Sequence, residues 1–443
     1  MNKPNVIIIM TDDQGYGDLS CMGAEDFVTP NIDALAENGI RFTSMYSGSP
    51  VCSPSRACLL TGRYPGNAGV RAILAGHRKA SGITAEVPTI ATALKKLGYK
   101  TGISGKWHLG LKEECRPGAN GFDEFSGFLA GCVDYYSHIF YWGMADGNTN
   151  PTHDLWENNE EVYDNGKYMT ERITEKSIDF IRRHKDEPFM LYVAYNAPHY
   201  PMHAPEKYMK RFSHLPWDRQ VMAAMISAVD DGVGEIRNEL IRQKIADNTI
   251  IYFQRDNGPS RESRNWLDGR TDLYYGGTSG IFKGHKFSLF EGGIRIPAVL
   301  SWPERISEKI VDTPHIAADI FPTVLEACGG NPSDYDLDGK SLLPMIEGTG
   351  DVLHEYLFWE MEGQTAVRKG RYKLVINGRL EEKAEVADEY FLSDLENDPG
   401  EKINLINELP EIFSELKAAA LKWRQGIEET WEKNFIKNYM NLT

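Results

Sequence analysis

Four short apolar runs, each ending a few residues before a charged or strongly polar side chain, constrain this chain more than any other feature. Asn5 to Met10 leads to Asp12 and Asp13, and Thr101 to Ser104 leads to Lys106 and His108. Phe189 to Tyr195 leads to His199, and Thr249 to Phe253 leads to Asp256 and Asn257. Continuous apolar, β-branched runs are what strands buried on both faces require, as in parallel sheets. Helical patterns lie between them, at Pro30 to Asn38, Thr89 to Leu97, Met169 to Arg183 and Met222 to Gln243. The alternation predicts an α/β fold. Such sheets bind ligands beyond the carboxyl ends of their strands, so the polar groups after the four runs are expected to converge on one site.

The chain has 443 residues, more than one hydrophobic core usually supports, and a large domain with a smaller one is expected. The stretch Gly348-Thr349-Gly350-Asp351 marks the change, giving domains at residues 1–350 and 351–443. Beyond it come short strands at Ala366 to Arg368, Tyr372 to Ile376 and Tyr390 to Leu392, with turns at Gly370 and Gly378. An amphipathic helix follows near Pro410 to Glu429. The Gly- and polar-rich segments 118–165 and 258–280 exceed ordinary loop lengths and read as binding loops over the site.

Charge excludes one class of partner. With 48 Lys and Arg against 64 Asp and Glu, the formal charge is −16, which argues against a nucleic-acid surface but leaves room for a locally basic pocket. The six cysteines form no C-x-x-C pair and are sparse, which fits reduced thiols better than a disulfide framework. The first apolar run stops at Asp12, too soon for a signal segment, and no stretch reaches spanning length. The expected location is cytoplasmic, or secreted or periplasmic if an export signal has been removed, with no membrane partner.

The chemistry is concentrated in few residues. In Cys52-Ser53-Pro54-Ser55-Arg56, Pro54 suits the first position of a helix and Ser53 its cap, which puts Cys52 just outside a helix N-terminus. Free N–H groups there favour an anion, and Arg56 one turn in would reinforce them. Asp12, Asp13, Asp256 and Asn257 offer only oxygen ligands, which suits a hard divalent cation such as calcium or magnesium. Taken singly, each of these residues is an ordinary cap, turn or surface charge, and a lone His108 or His199 an ordinary structural histidine. Their common placement after predicted strands is what favours function. The aromatic cluster Tyr135-Tyr136 and Phe140-Tyr141-Trp142 reads as packing or as a platform for a sugar face, and His203 and His285 as possible substrate contacts.

Cys52-Ser53-Pro54-Ser55-Arg56-Ala57 with Thr61-Gly62-Arg63 resembles the signature of the type I sulfatases, members of the alkaline phosphatase superfamily. Asp12 to Asp18, Gly105 to Gly110, Ala197-Pro198-His199, Asp256-Asn257-Gly258, and Lys286 with Glu291 to Arg295 match further family segments in order, as does Asp394 to Asn404. The likeness runs from about residue 5 to about residue 400, and the chain resembles the arylsulfatase A or N-acetylgalactosamine-sulfatase kind. It implies a large mixed, mostly parallel sheet sandwiched by helices, with a small C-terminal antiparallel sheet. It also implies that a maturating, formylglycine-generating enzyme oxidises Cys52 to Cα-formylglycine, and that the substrate is a sulfated carbohydrate of glycosaminoglycan type.

In the family mechanism a hydrated formylglycine attacks sulfur, beside a calcium ion (alternatively magnesium) held by Asp12, Asp13, residue 52, Asp256 and Asn257. Arg56, Lys106 and Lys286 hold the sulfate oxygens, with Lys106, His199 and Lys286 as substrate contacts. His199 with Lys286 protonates the leaving oxygen, and His108 takes the proton whose loss expels sulfate. One residue departs from the pattern: Arg255 stands where the family has a small residue, and it adds a cation beside the metal ligands. Alternative readings are a broad arylsulfatase, a phosphonate or phosphate ester hydrolase of the same superfamily, and an unmodified, non-catalytic binder of sulfated glycans.

Overall fold

The computed structural model describes residues 3–141, 151–262, 275–351 and 354–436, and all that follows concerns these. Trp142 and parts of both long polar segments, 142–150 and 263–274, lie outside the described residues.

All four apolar runs are strands. Asn5–Thr11 is buried throughout and pairs in parallel with Thr249–Arg255 on one side and Phe189–Ala194 on the other, and Phe189–Ala194 pairs in parallel with Lys100–Lys106. With parallel pairing and helices on each face, every position in these strands but Lys100 is buried, which is why their sequence does not alternate. The sheet continues beyond Lys100–Lys106 to a parallel strand, Glu124–Phe128. On the other flank it turns antiparallel at Arg295–Ser301, which pairs with Ile40–Tyr46. It is an eleven-stranded mixed sheet with a parallel centre.

Helices sandwich it in two groups. Pro30–Glu37, Met169–His184 and Trp217–Arg242 pack together, while Cys52–Thr61, Ile90–Lys96 and Ile320–Ala327 form the other group. The backbone N–H groups of Asn31 and Ile32, free at the start of their helix, are accepted by the buried carboxylate of Asp230 at 3.1 and 2.9 Å. Among the described residues no helix is long and apolar enough to cross a membrane.

After residue 350 a second, antiparallel sheet runs Leu357–Met361, Gln364–Lys369, Tyr372–Gly378 and Asp388–Asp394. Three of these strands are the expected ones, slightly longer. The first was hidden by Glu360, a buried charge in an otherwise apolar strand, which is held by Arg71 at 2.5 Å and Arg424 at 3.2 Å. One face of the sheet packs Val367, Leu374 and Leu392 on Leu416 and Ala420 of the terminal helix, Pro410–Asn434. The other face joins the main core through Ala366, Val375 and Phe391. Buried in that seam, Lys373 bridges Glu291 at 2.9 Å and Glu401 at 3.1 Å. An ion cluster of this kind fixes one register of docking, since any slip would leave a buried charge unpaired.

Candidate active site

The helix carrying the C-x-P-S-R motif spans Cys52–Thr61, so Cys52 is its first residue rather than the one outside it. Val51 is the extended capping residue, and the first helical bond runs from Ser55 N to the Val51 carbonyl. Pro54 fits at the third position because N–H groups of the first turn have no helical acceptor. Ser53 does not cap; its hydroxyl accepts from Leu74 N at 3.1 Å. The same Leu74 supplies its carbonyl to His108 Nε2 at 3.1 Å. Residues 72–77 are thereby strapped across the site between the Cys52 helix and the turn after Lys100–Lys106.

The strand ends converge as the sheet rule requires. Asp12 Oδ1 accepts from Cys52 Sγ at 3.4 Å, and Asp12 Oδ2 from Lys106 Nζ at 2.5 Å. Arg56 donates to Asp256 Oδ2 at 2.9 Å, lies 3.6 Å from Asp12, and reaches the Lys106 carbonyl at 3.3 Å. Asp256 Oδ1 accepts from Asp13 N at 3.1 Å, and Asn257 Nδ2 donates to Asp13 Oδ1 at 2.7 Å. Lys286 Nζ donates to Asp13 Oδ2 at 2.9 Å and lies 3.5 Å from His199 Nε2. All ten residues singled out in the sequence are thus buried in one contiguous cluster, with Asp12, Arg56, Lys106, Asp256 and Asn257 wholly inaccessible. The backbone is strained there: Asp13 and His108 both have positive φ, 58° and 54°, a conformation that costs a non-glycine residue about 1–3 kcal/mol.

Burial shapes the ionisation. Burial pushes the Cys52 thiol well above its usual range, so it is a neutral donor and not a thiolate nucleophile. Burial and then the neighbouring Lys106 and Arg56 push His108 far down, and burial followed by Lys286 and Lys106 outweighs Asp13 to bring His199 to about 4. Burial works against the charge of Lys106, but Asp12 holds its ammonium above its ordinary value. Both imidazoles are neutral, and their tautomers follow from their partners. His108 Nε2 faces a carbonyl and so carries the hydrogen, which leaves Nδ1 an acceptor, buried with no partner. His199 Nδ1 faces the Tyr200 carbonyl at 2.8 Å and likewise carries the hydrogen, which turns the lone pair of Nε2 toward Lys286.

Ligand atoms of Asp12, Asp13, Cys52 and His199 lie within 4.8 Å of one another, close enough to share a metal ion. Asn257 adds an amide oxygen that is buried without a hydrogen-bond partner, a state that a cation would relieve. Asp256 sits one step back, tied to Asp13 N and Arg56. The oxygen-rich donor set fits a hard divalent ion. Arg255 does not join it. Its guanidinium turns away to the carbonyls of Gln14 and Arg295, so the unusual cation braces the loop after Asn5–Thr11 against the start of Arg295–Ser301.

A cavity of about 450 Å³ opens over the cluster, floored by Cys52, His108, His199 and Lys286. Gly131 lines it under His108, where a Cβ would come within 2.7 Å of the imidazole. Of the aromatic residues considered as a sugar platform, Phe140 lines the cavity, while Tyr135 is buried in a stack on Tyr168. His203, paired with Asp134 at 3.2 Å, and His285 lie outside the lining. Sequence reasoning missed Glu262 and His77, both of which line it. Glu262 Oε2 accepts from Lys286 Nζ at 2.6 Å, yet it lies in a polar loop with nothing local to distinguish it from a solvated acid.

A family model described as Sulfatase matches residues 4–330, and one described as N-sulphoglucosamine sulphohydrolase, C-terminal, matches residues 277–425. The chain is 30% identical to arylsulfatase A of Homo sapiens, over 94% of this chain and 87% of that protein. It is 32% identical to N-acetylgalactosamine-6-sulfatase of Canis lupus familiaris, over 84% of this chain and 71% of that protein. Among solved structures, Ps i-CgsB in complex with k-i-k-neocarrahexaose superposes with a TM-score of 0.83 at 31% identity, covering 95% of this chain and 93% of that one.

Proposed function

The chain belongs to the sulfatase family and is a sulfuric ester hydrolase, and from that premise we propose that it cleaves sulfate monoesters of sugars with a matured residue 52 as nucleophile. The observation that carries this reading is the placement of Cys52. Its side chain lies at the floor of the cavity, against Asp12 and within reach of three cations, although its own thiol is held neutral. Conversion to formylglycine by a maturating enzyme would supply, once hydrated, a hydroxyl nucleophile at that spot and a second hydroxyl for release of sulfate.

Asp12, Asp13, Asp256 and Asn257, with residue 52, would hold the divalent cation, which when bound supplies fixed positive charge against the sulfate oxygens. Calcium is the ion that the family resemblance implies, and the oxygen-rich ligands suit it or magnesium. Arg56, Lys106 and Lys286 oppose the negative charge that builds on the transferring group, in a site where water is excluded and such charges count most. Lys286 Nζ and His199 Nε2, 3.5 Å apart, would both face the departing oxygen and together supply the proton that a poor alkoxide leaving group requires. His108 Nδ1, the unpartnered acceptor, takes the proton whose loss breaks the covalent intermediate.

In this reading residues 1–350 form the catalytic domain, and residues 351–443 a subdomain that closes one cavity wall with Met361, Glu362 and Glu382. The sugar is supported by the names of relatives such as N-acetylgalactosamine-6-sulfatase and by the carrahexaose complex of Ps i-CgsB. Purified, matured protein assayed on matched aryl sulfate and aryl phosphate esters, and on sulfated monosaccharides of defined position, tests it. Faster turnover of the phosphate would make the protein a phosphoryl hydrolase of the same superfamily instead.

A further inference from the structure

We propose that the cavity rejects a second negative charge on the alcohol portion of its substrate, so that the ester cleaved carries one sulfate on an otherwise neutral or ammonium-bearing molecule. The inference rests on the sulfatase reading and concerns the part of the cavity beyond the sulfate.

Three carboxylates line that part: Glu262, Glu362 and Glu382. Among the described lining residues no Arg and no Lys other than Lys286 faces them, and His77 is the remaining basic side chain outside the floor. Lys286 cannot serve a second anion, because Asp13 and Glu262 already share its ammonium at 2.9 and 2.6 Å. Glu262 itself is 9% exposed and so is poorly screened. Glu362 has Arg379 at 3.4 Å and Glu382 has Lys383 at 3.7 Å, but neither cation lines the cavity and both pairs are solvent-exposed, which makes them weak. Ile73, Leu74, Phe140, Phe287 and Met361 make much of the remaining wall apolar, and the phenol of Tyr200 adds a neutral group but no cation to hold a carboxylate or second sulfate. An anionic substituent entering here would meet like charge. One such encounter at about 8 Å is worth about 2-fold in binding under full water screening, as beside the exposed Glu362 and Glu382, and about 30-fold at an effective dielectric of about 20, as beside the more buried Glu262, which brackets a roughly tenfold effect.

The test uses phenyl sulfates carrying a carboxylate, a carboxamide or an ammonium at the end of an ethylene tether, which insulates the phenol and keeps the leaving group constant. The matured enzyme is expected to show kcat/KM for the amide and the ammonium about tenfold or more above that for the carboxylate, mainly through KM. The ratio should shrink at high ionic strength, and it should shrink in E262Q and independently in the E362Q/E382Q double variant. Equal turnover of the carboxylate ester, or a ratio untouched by both variants and by salt, would overturn the proposal. Unsubstituted phenyl sulfate separates this from the parent reading. If it is hydrolysed and the ratio is absent, only the charge inference fails. If phenyl phosphate is preferred, the sulfatase reading fails, and the same tethered series made as phosphates still decides the charge ratio.

Discussion

Arg56 is where the electrostatic account can be pressed hardest. Its guanidinium is wholly buried and serves Asp256 at 2.9 Å and Asp12 at 3.6 Å, together with the Lys106 carbonyl. Arg56→Met keeps much of the side-chain volume and removes the charge. Asp256, which burial and Asp12 already push above its ordinary pKa, then loses its closest cation. Breaking a buried pair from one side costs about 3–5 kcal/mol, because the surviving charge stays buried and unpaired. At about 2.1 cal/mol/K per residue, the unfolding entropy of 443 residues is about 0.9 kcal/mol/K, so the melting temperature should fall by about 3–5 °C. Differential scanning calorimetry in chelator reads this directly. Repeated in excess calcium, it should show a larger calcium-induced rise in the variant than in the wild type, because a dication among Asp12, Asp13 and Asp256 replaces the missing charge. A variant melting within about 1 °C of the wild type in chelator would refute the argument that these carboxylates depend on Arg56.

Other outcomes follow from the same geometry. His199→Ala should slow alkyl sulfates more than activated aryl sulfates, since only the poor leaving groups need the proton it delivers; equal losses in kcat on both would remove it from that role. His315 lies in the core with both ring nitrogens unpartnered, and burial holds it at about 4, against 6.5 unfolded, despite nearby Asp319. Its folded pKa is depressed, so the native state binds fewer protons than the unfolded chain between pH 4 and 6.5, and stability falls as pH drops through that window. His315→Leu should lessen the fall in melting temperature across that window without abolishing it, because burial depresses His108 and His199 in the same direction, and a slope identical to the wild type would show that His315 does not contribute. Gly131→Ala should impair turnover by displacing the His108 ring, which a Cβ would approach to 2.7 Å. Unchanged kcat in Gly131→Ala would mean that the ring relaxes freely.

Much of the centre was legible because parallel strands must be apolar along their length, and because ligands gather where such strands end. Asn5–Thr11 and Thr249–Arg255 are continuous in sequence and adjacent in space, and the aspartates that follow them meet. The strands Ile40–Tyr46 and Leu357–Met361 escaped notice because charged residues interrupt them. Arg41 reaches the Cys21 carbonyl, and Glu360 binds Arg71, contacts made across long stretches of chain that no local pattern encodes. The start of the Cys52 helix was misplaced by two positions because Ser53 is spent on Leu74, a residue 21 positions away. Arg255 looked like a functional cation from its neighbours in sequence, and only the fold shows it facing the backbone of Gln14 and Arg295. Glu262 carried no signal at all, since its meaning comes from Lys286.

Tandem mass spectrometry of the peptide containing residue 52, taken from protein with measured sulfatase turnover, reaches the centre of the account. Formation of the aldehyde from the thiol lowers the peptide mass by about 18 Da, and the occupancy of that form should track specific activity from preparation to preparation. An unmodified Cys52 thiol in fully active protein would contradict it.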